Sequence, residues 1–96
     1  MRITADEKAA TRKRILDAGK SLFRTKGFDT ATTRDIAREV GIATGTMFNY
    51  FASKEAVVVE LAAIALHKAQ RDFEKSRRDS ANFAEDLFAL IAAQLR

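Results

Sequence analysis

The sequence predicts an all-α protein, in which a three-helix, homeodomain-like helix-turn-helix bundle is followed by a long fourth helix and the start of a fifth. Three observations favour this class. The 96 residues include no proline and only four glycines, a composition that favours long helices. Apolar side chains recur at helical spacing along most of the chain. Threonine, serine, asparagine and glycine stand where helices are expected to begin and end.

The first helix is expected to begin at Thr4 and to stop at Gly27. Thr4 and Glu7 have the spacing of a capping box, and a glycine suits the end of a helix. Gly19 interrupts the apolar stripe of this helix, which predicts the close approach of another helix, because a methyl group would push that helix away. The stripe itself, which needs a packing partner, consists of Ile15, Ala18, Gly19, Leu22 and Phe23.

The segment that follows predicts a helix-turn-helix. Thr32 and Asp35 form a second capping box, and Gly41 stands where a left-handed C-cap would end the second helix after about two turns. A third helix is expected from Thr44 to Phe51. A helix this short depends on tertiary packing, and small polar residues in its first turn are typical of a recognition helix that enters the major groove of DNA.

The third helix is predicted to have an inward and an outward face. Met47 and Phe51, at i and i+4, point towards the core. Gly45 has two interpretations, since glycine costs about 1 kcal/mol relative to alanine within a helix. It is either a tolerated first-turn residue or a place where DNA comes close to the backbone. The residues expected to face outward are Thr44, Gly45, Thr46, Asn49 and Tyr50.

The fourth helix is expected to begin after an N-cap at Ser53 and to run from Lys54 to about Arg78. We expect a break over residues 78–81 and a fifth helix capped by Asn82. This last helix is apolar on most of its circumference, which indicates burial on several sides. Nothing remains in the chain to bury it, so we expect either a fragment of a longer protein or pairing with another copy.

These elements predict two domains. Residues 4–52 form a DNA-binding domain, and residues 53–96 form a linker helix with the first part of an incomplete ligand-binding and dimerisation domain. Positive charge is concentrated in the first half: residues 1–54 hold 11 Lys/Arg against 6 Asp/Glu, a net charge of +5, whereas residues 55–96 hold 6 against 7, a net charge of −1. A cationic surface releases counterions from DNA, although a solvated basic face is also common.

Composition argues against several other classes of protein. The chain has no cysteine, so neither a disulfide framework nor a thiolate metal site is expected. Its one histidine, His67, has no second histidine or cysteine to share a metal ion with, so neither a metal nor another cofactor is expected. The longest apolar run is shorter than the ~20 residues that span a bilayer, and no signal peptide is apparent, so a cytoplasmic protein without membrane contact is expected. The sequence contains no nucleophile and base at a spacing that would indicate an enzyme.

Together these segments resemble the N-terminal DNA-binding domain of TetR/AcrR-family transcriptional regulators. The resemblance covers about residues 11–61, through the segments TRKRILDAGKSLFRTKGF, TTRDIAREVGI, TGTMFNYF and SKEAVVVEL. It implies a homodimer that binds a palindromic operator in double-stranded DNA, with one recognition helix in each major groove. It further implies a repressor that an unknown small ligand releases from DNA by binding a C-terminal domain, most of which this chain lacks.

The resemblance also implies which residues meet DNA. Thr33 and Arg34 would contact the DNA backbone or a base edge, while Tyr50 and Lys54 would each contact a phosphate. Thr44, Gly45 and Thr46 of the third helix would face the bases, and Asn49 is expected on the same outward side. The predicted DNA-binding set is therefore Thr33, Arg34, Thr44, Gly45, Thr46, Asn49, Tyr50 and Lys54.

Two residues depart from the family pattern. Phe48 stands where a tyrosine usually touches phosphate with its hydroxyl, so only apolar contact or packing is left to it. Ala43 stands where many members have a serine that caps the third helix, so either Thr44 takes over or the cap is weak. The alternative function is a helical protein-interaction or oligomerisation module without sequence-specific DNA binding, because residues 83–95 have an apolar excess.

Overall fold

A computed structural model describes residues 3–95, which form four α-helices and no strand. These are α1 (Ala5–Thr25), α2 (Thr33–Val40), α3 (Thr44–Phe48) and α4 (Lys54–Gln94). The predicted all-α class is confirmed. The chain divides into two units, Met1–Ala63 and Ile64–Arg96; Arg96, the end of the second predicted domain, lies outside the described residues.

Both predicted capping boxes are present. In α1, the Glu7 amide donates to Thr4 Oγ1 at 3.1 Å, and the Thr4 amide donates to Glu7 Oε2 at 3.2 Å. In α2, the Asp35 amide donates to Thr32 Oγ1 at 3.0 Å, and the Thr32 amide donates to Asp35 Oδ2 at 3.1 Å. These bonds satisfy amides that have no partner inside the helix, and they fix where α1 and α2 begin.

The ends of α1 and α2 also follow the sequence. Gly41 has φ +85°, and the Ile42 amide donates to the Ala37 carbonyl at 3.0 Å, the hydrogen bond of a Schellman turn. Gly27 has φ +86° and follows the last turn of α1. Both predicted glycine stops are therefore confirmed, and the short helix α2 ends within reach of α3.

The core of the first unit lies among α1, α2, α3 and the start of α4. Ile15, Ile36, Met47 and Val57, one from each helix, are fully buried. At Gly19 a Cβ atom would lie 2.8 Å from Val57 Cγ1, which is closer than real Cβ atoms approach. The predicted close approach at Gly19 is therefore confirmed, and the neighbouring helix is α4.

α3 is shorter than expected, because it ends at Phe48 and not at Phe51. The Asn49 amide donates to Thr46 O at 3.0 Å and the Tyr50 amide to Met47 O at 2.9 Å, so the chain tightens into i→i+3 bonds after the helix. Phe51 still reaches the core. The start of α3 has Ala43 at the N-cap and no side-chain cap bond, so the cap is weak, as one of the two alternatives predicted.

The expected break over residues 78–81 is absent, and no separate fifth helix begins after Asn82, since α4 continues to Gln94. No proline or glycine interrupts this stretch, and Arg, Ser and Ala there are compatible with a helix interior, so the capping signal at Asn82 is not used. The apolar side chains expected to be buried are exposed, with Phe83 at 69% and Phe88 at 75%. None of these four helices has the length and apolar character that would carry it across a membrane.

Candidate nucleic-acid interface

α3 buries one side and exposes the other. Met47 is fully buried, whereas Gly45, Thr46 and Asn49 are exposed. Since successive residues of a helix are about 100° apart, Gly45 and Asn49 point most directly away from Met47. Three of the five residues predicted to face outward are thus exposed, whereas Thr44 and Tyr50 are half-buried and Tyr50 packs against the core.

A crevice of about 400 Å³ separates one flank of α3 from the start of α2. The first turn of α2 offers amide groups and the positive end of the helix dipole, and Arg34 adds an exposed guanidinium. Such groups bind phosphate oxygens and base edges. Of the predicted DNA-binding residues, the structure brings Thr33, Arg34 and Thr44 together here, and the crevice is completed by Thr32 and Phe48.

A second crevice, of about 550 Å³, lies on the opposite flank of α3 against the start of α1. It brings together the predicted residues Thr46, Asn49 and Tyr50. Lys8 and Arg12 of α1 line the same crevice, so basic side chains stand beside the outward face of α3. From the sequence, Arg12 is expected on a solvated basic face that at best attracts the DNA backbone, and Lys8 is not among the predicted contacts, because the position of both depends on how α1 packs across the fold.

The side chain of Arg12, which lines this crevice, is already in contact with Glu60 and Phe51. Its Nη2 lies 3.2 Å from Glu60 Oε1, and its guanidinium lies 5.0 Å from the centre of the Phe51 ring. These contacts join α1, the segment after α3 and α4. Arg12 therefore fixes the wall of the crevice, while Lys8, which is exposed, leaves positive charge at its edge.

Phe48 lies on the outward surface and is 47% exposed. It lines the crevice beside α2 and also a smaller one of about 330 Å³ that extends to the start of α4. The ring is thus surrounded by hydroxyl-bearing and helix-start residues rather than by the core. Of the two roles left to Phe48, apolar contact at the surface fits its exposure better than internal packing.

Lys54 lines the same small crevice as Thr33 and Phe48, and its ammonium is hydrogen-bonded to the loop between α1 and α2. Its Nζ donates to the carbonyl oxygens of Phe28 at 2.7 Å, Ala31 at 3.2 Å and Asp29 at 3.3 Å. It also lies 4.5 Å from the centre of the Phe28 ring. A lysine ammonium has three N–H donors, and the loop between α1 and α2 accepts from all three. The other seven predicted residues share the surface around α3.

The start of α2 is stabilised electrostatically by Asp35. The hydrogen bond from the Thr32 backbone amide, followed by the one from Lys26, holds the pKa of the Asp35 carboxyl below its ordinary value of 3.8. Lys26 Nζ lies 3.2 Å from Asp35 Oδ2. The carboxylate thus stays ionised and caps α2, which keeps Thr33 and Arg34 at the edge of the crevice.

Comparison with known proteins gives a consistent result. Residues 15–61 match the family model described as bacterial regulatory proteins, tetR family. The chain is 31% identical over 75 residues to the uncharacterized HTH-type transcriptional regulator YfiR of Bacillus subtilis, a match that covers 78% of this chain and 37% of the relative. It is 35% identical over 71 residues to the HTH-type transcriptional regulator UidR of Escherichia coli K12, covering 74% and 35%.

A protein of Mycobacterium tuberculosis named as an HTH-type transcriptional repressor is 34% identical over 61 residues, covering 64% of this chain and 33% of the relative. The chain therefore spans about a third of the length of these three relatives. The match to the family model begins within α1 and ends in the first turns of α4, so it contains the whole of α2 and α3.

Proposed function

We propose that this chain, which belongs to the TetR family of bacterial regulatory proteins through residues 15–61, binds double-stranded DNA sequence-specifically with α3 in the major groove. It is a transcriptional regulator of the helix-turn-helix class. In the proposed complex, the start of α2 approaches one strand of the DNA backbone while α3 faces the bases.

The observation that carries this proposal is the surface that α2 and α3 form together. Thr33 and Arg34 stand on one side of α3, and Thr46, Asn49 and Tyr50 stand on the other, so polar side chains flank the exposed backbone at Gly45. Arg34 is exposed and makes no ion pair within residues 3–95, which leaves its guanidinium available for a phosphate or for the O6 and N7 atoms of a guanine.

The assembly and its regulation are further parts of the proposal. The full-length protein acts as a homodimer on a palindromic operator, since two half-sites need two recognition helices. One similar protein is named a repressor, and we propose repression here as well, with release by a small ligand bound in a C-terminal domain. Residues 4–52 act as the DNA-binding domain, and residues 53–96 provide the linker helix and the first part of the ligand-binding and dimerisation domain.

Binding of the 96-residue chain to DNA tests the central part of the proposal. Duplexes enriched from a random library serve as the specific target, scrambled duplexes as the control, and fluorescence anisotropy is measured at two salt concentrations. We expect a preference for the enriched sequence and an affinity that falls with salt, because each phosphate contact contributes a slope of about −0.9 in log K against log salt. A single half-site is expected to bind with a Kd of roughly 10⁻⁴ to 10⁻⁶ M or tighter.

Two matched variants sharpen this experiment. Arg34→Gln removes a positive charge at the start of α2, and Lys68→Gln removes one from an exposed side chain that bonds Asp72 at 3.0 Å in the second unit. We expect Arg34→Gln to weaken specific binding about 5- to 150-fold, the range of one good base or phosphate contact, and Lys68→Gln to leave it nearly unchanged. Binding by the wild-type chain without salt dependence or sequence preference would overturn the proposal.

A second candidate function is association through the second unit, as a helical interaction module. The observation that favours it is the exposure of several large apolar side chains within residues 64–95, among them Phe73, Phe83 and Phe88. Sedimentation equilibrium of the wild-type chain and of Phe88→Glu tests it, with Thr46→Ala as the matched variant in α3. Association that Phe88→Glu abolishes and Thr46→Ala preserves would separate this function from DNA binding.

A further inference from the structure

The crevice between α3 and the start of α1 contains a basic side chain to which neither the fold nor the proposed contacts of α2 and α3 assign a role. We propose that Lys8 of α1 binds a phosphate of the DNA backbone, on the flank of α3 opposite the start of α2. This inference rests on the proposed function, because it adds a contact to the complex in which α3 lies in the major groove.

Lys8 lies on the face of α1 that packs against the other helices. The residues that share this face, at intervals of four, three and four positions, are Lys8, Arg12, Ile15 and Gly19. Ile15 and Gly19 are buried, Arg12 is half-buried and Lys8 is exposed. The packing face of α1 thus extends beyond the core at its N-terminal end, and there Lys8 lies beside the outward face of α3.

The acidic residues in the first turn of α1, Asp6 and Glu7, point away from this position. At about 100° per residue, Asp6 is turned about 160° from Lys8 around the helix, and Glu7 about 100°. The Glu7 carboxylate is also engaged in the capping box, where it accepts from the Thr4 amide at 3.2 Å. Lys8 itself forms no ion pair within residues 3–95, so its ammonium is available for an anion of a partner.

The lining of the crevice suits a DNA backbone, in which phosphate charges alternate with the hydrocarbon of the sugars. Ile3 and Ala9 supply apolar surface for deoxyribose, and Ile3 is 55% exposed. Lys8 supplies a positive charge at the edge, and Tyr50 adds a phenolic hydroxyl, which can donate to a phosphate oxygen. Charge, hydrogen-bond donor and apolar surface therefore occur together beside the recognition helix.

The position of the two crevices on opposite flanks of α3 gives this contact its use. A helix in the major groove has a sugar-phosphate backbone on each side, since the groove is about 12 Å wide and a helix with its side chains about 10 to 12 Å across. Thr33 and Arg34 stand at one flank of α3, and Lys8 stands at the other. Backbone contacts on both flanks would fix the depth and angle at which α3 enters the groove.

A phosphate contact carries no information about base sequence. Lys8 should therefore raise the affinity for every duplex by the same factor, while sequence preference stays with α2 and α3. This separates Lys8 from a residue that reads bases, whose loss would affect the enriched duplex most. It also separates Lys8 from a residue that only stabilises the fold, whose loss would leave the salt dependence of binding unchanged.

Lys8→Gln tests the contact in the full 96-residue chain, with Lys20→Gln as the matched control. Lys20 is also an exposed lysine of α1 without an ion pair within residues 3–95. It is turned about 120° from Lys8 around the helix and lies about 18 Å further along it. Fluorescence anisotropy gives the affinity for the enriched and scrambled duplexes over a range of salt concentrations, and thermal unfolding gives the stability of each variant.

We expect Lys8→Gln to weaken binding to both duplexes by the same factor, about 3- to 10-fold, and to reduce the slope of log K against log salt by about 0.9. Lys20→Gln should change neither quantity, and Lys8→Arg should restore both. The midpoint of thermal unfolding should be the same in all variants, because Lys8 and Lys20 are exposed. A wild-type salt slope in Lys8→Gln, a loss confined to the enriched duplex, or an equal loss in Lys20→Gln would overturn the proposal.

Neutral methylphosphonate groups at single positions of the enriched duplex locate the contact. We expect one such substitution to weaken binding by the wild-type chain and to have no effect on Lys8→Gln. If every substitution affects both proteins equally, Lys8 binds no phosphate and the proposal is overturned. A wild-type chain that binds without salt dependence or sequence preference would refute the proposed function itself, whereas normal wild-type binding that Lys8→Gln leaves intact would refute only the contact of Lys8.

Discussion

Gly45→Ala is the substitution that best distinguishes a structural role of α3 from contact with DNA. Apart from Gly45 itself, its two chain neighbours and the adjacent backbone of α3, no heavy atom lies within 4 Å of a Cβ atom built at Gly45, and Gly45 does not have a positive φ. The folded chain therefore accepts the methyl group without strain. Replacing glycine by alanine in a helix also gains up to about 1 kcal/mol, so the free energy of unfolding should stay unchanged or rise by that amount.

The expected effect on DNA binding has the opposite sign. The methyl group projects from the side of α3 that faces away from Met47, where the proposed complex brings DNA against the backbone. An added methyl group in a tight contact costs about 1 to 3 kcal/mol, which corresponds to roughly a 5- to 150-fold loss of affinity. We therefore expect a variant that is at least as stable as the wild type and yet binds the enriched duplex less tightly.

Gly19→Ala is the matched control, since it adds the same methyl group within the core. Its Cβ atom would lie 2.8 Å from Val57 Cγ1, so overpacking should cost about 1 to 3 kcal/mol, partly offset by the gain in helix propensity. Thermal unfolding gives the stability of both variants, and fluorescence anisotropy gives their affinity for the enriched duplex. Unchanged affinity in Gly45→Ala would refute close approach at this residue and leave it as a tolerated first-turn glycine.

Two further predictions concern the starts of α2 and α3. Because the pKa of Asp35 is lower in the folded chain than its ordinary value of 3.8, its contribution to stability should be complete above that pH and be lost as the pH falls through the lower folded value. Denaturation curves between pH 2 and 5 should therefore show a weaker pH dependence for Asp35→Asn than for the wild type, and identical acid limbs would contradict this. Ala43→Ser should raise the free energy of unfolding by about 0.5 to 2 kcal/mol, because Ala43 provides no side-chain cap for α3. Ala52→Ser, which lies outside any cap position, is the control. An equal effect in both variants would count against a capping mechanism.

Apart from the close approach of α4 at Gly19, the features that the sequence predicted correctly are mostly set by short-range hydrogen bonds. The capping box of Thr32 and Asp35 joins residues three apart, and the turn at Gly41 needs only a residue that accepts a positive φ. Such signals are complete within a few residues, so the bounds of α2 follow from them. The outward face of α3 was likewise predictable, since burial of Met47 fixes which side of a short helix remains exposed.

The features that the sequence did not predict depend on distant residues or on competing local signals. The donors of Lys54 are directed to carbonyl groups 23 to 26 positions earlier in the chain, and no spacing pattern reveals such a contact. Arg12 lines the crevice beside α3 because of how α1 packs across the fold. At Asn82 a capping signal competes with a stretch that suits a helix interior, and the uninterrupted helix is the outcome.

Chemical-shift mapping shows directly whether α3 and the start of α2 together bind DNA. The chain of 10.7 kDa is small enough for ¹H–¹⁵N spectra to be recorded during titration with the enriched duplex. We predict that the largest shift changes occur at Thr33, Arg34, residues 44–46, Asn49 and Tyr50, and that residues 64–95 change little. Changes concentrated in residues 64–95, or the same changes with a scrambled duplex, would contradict the claim.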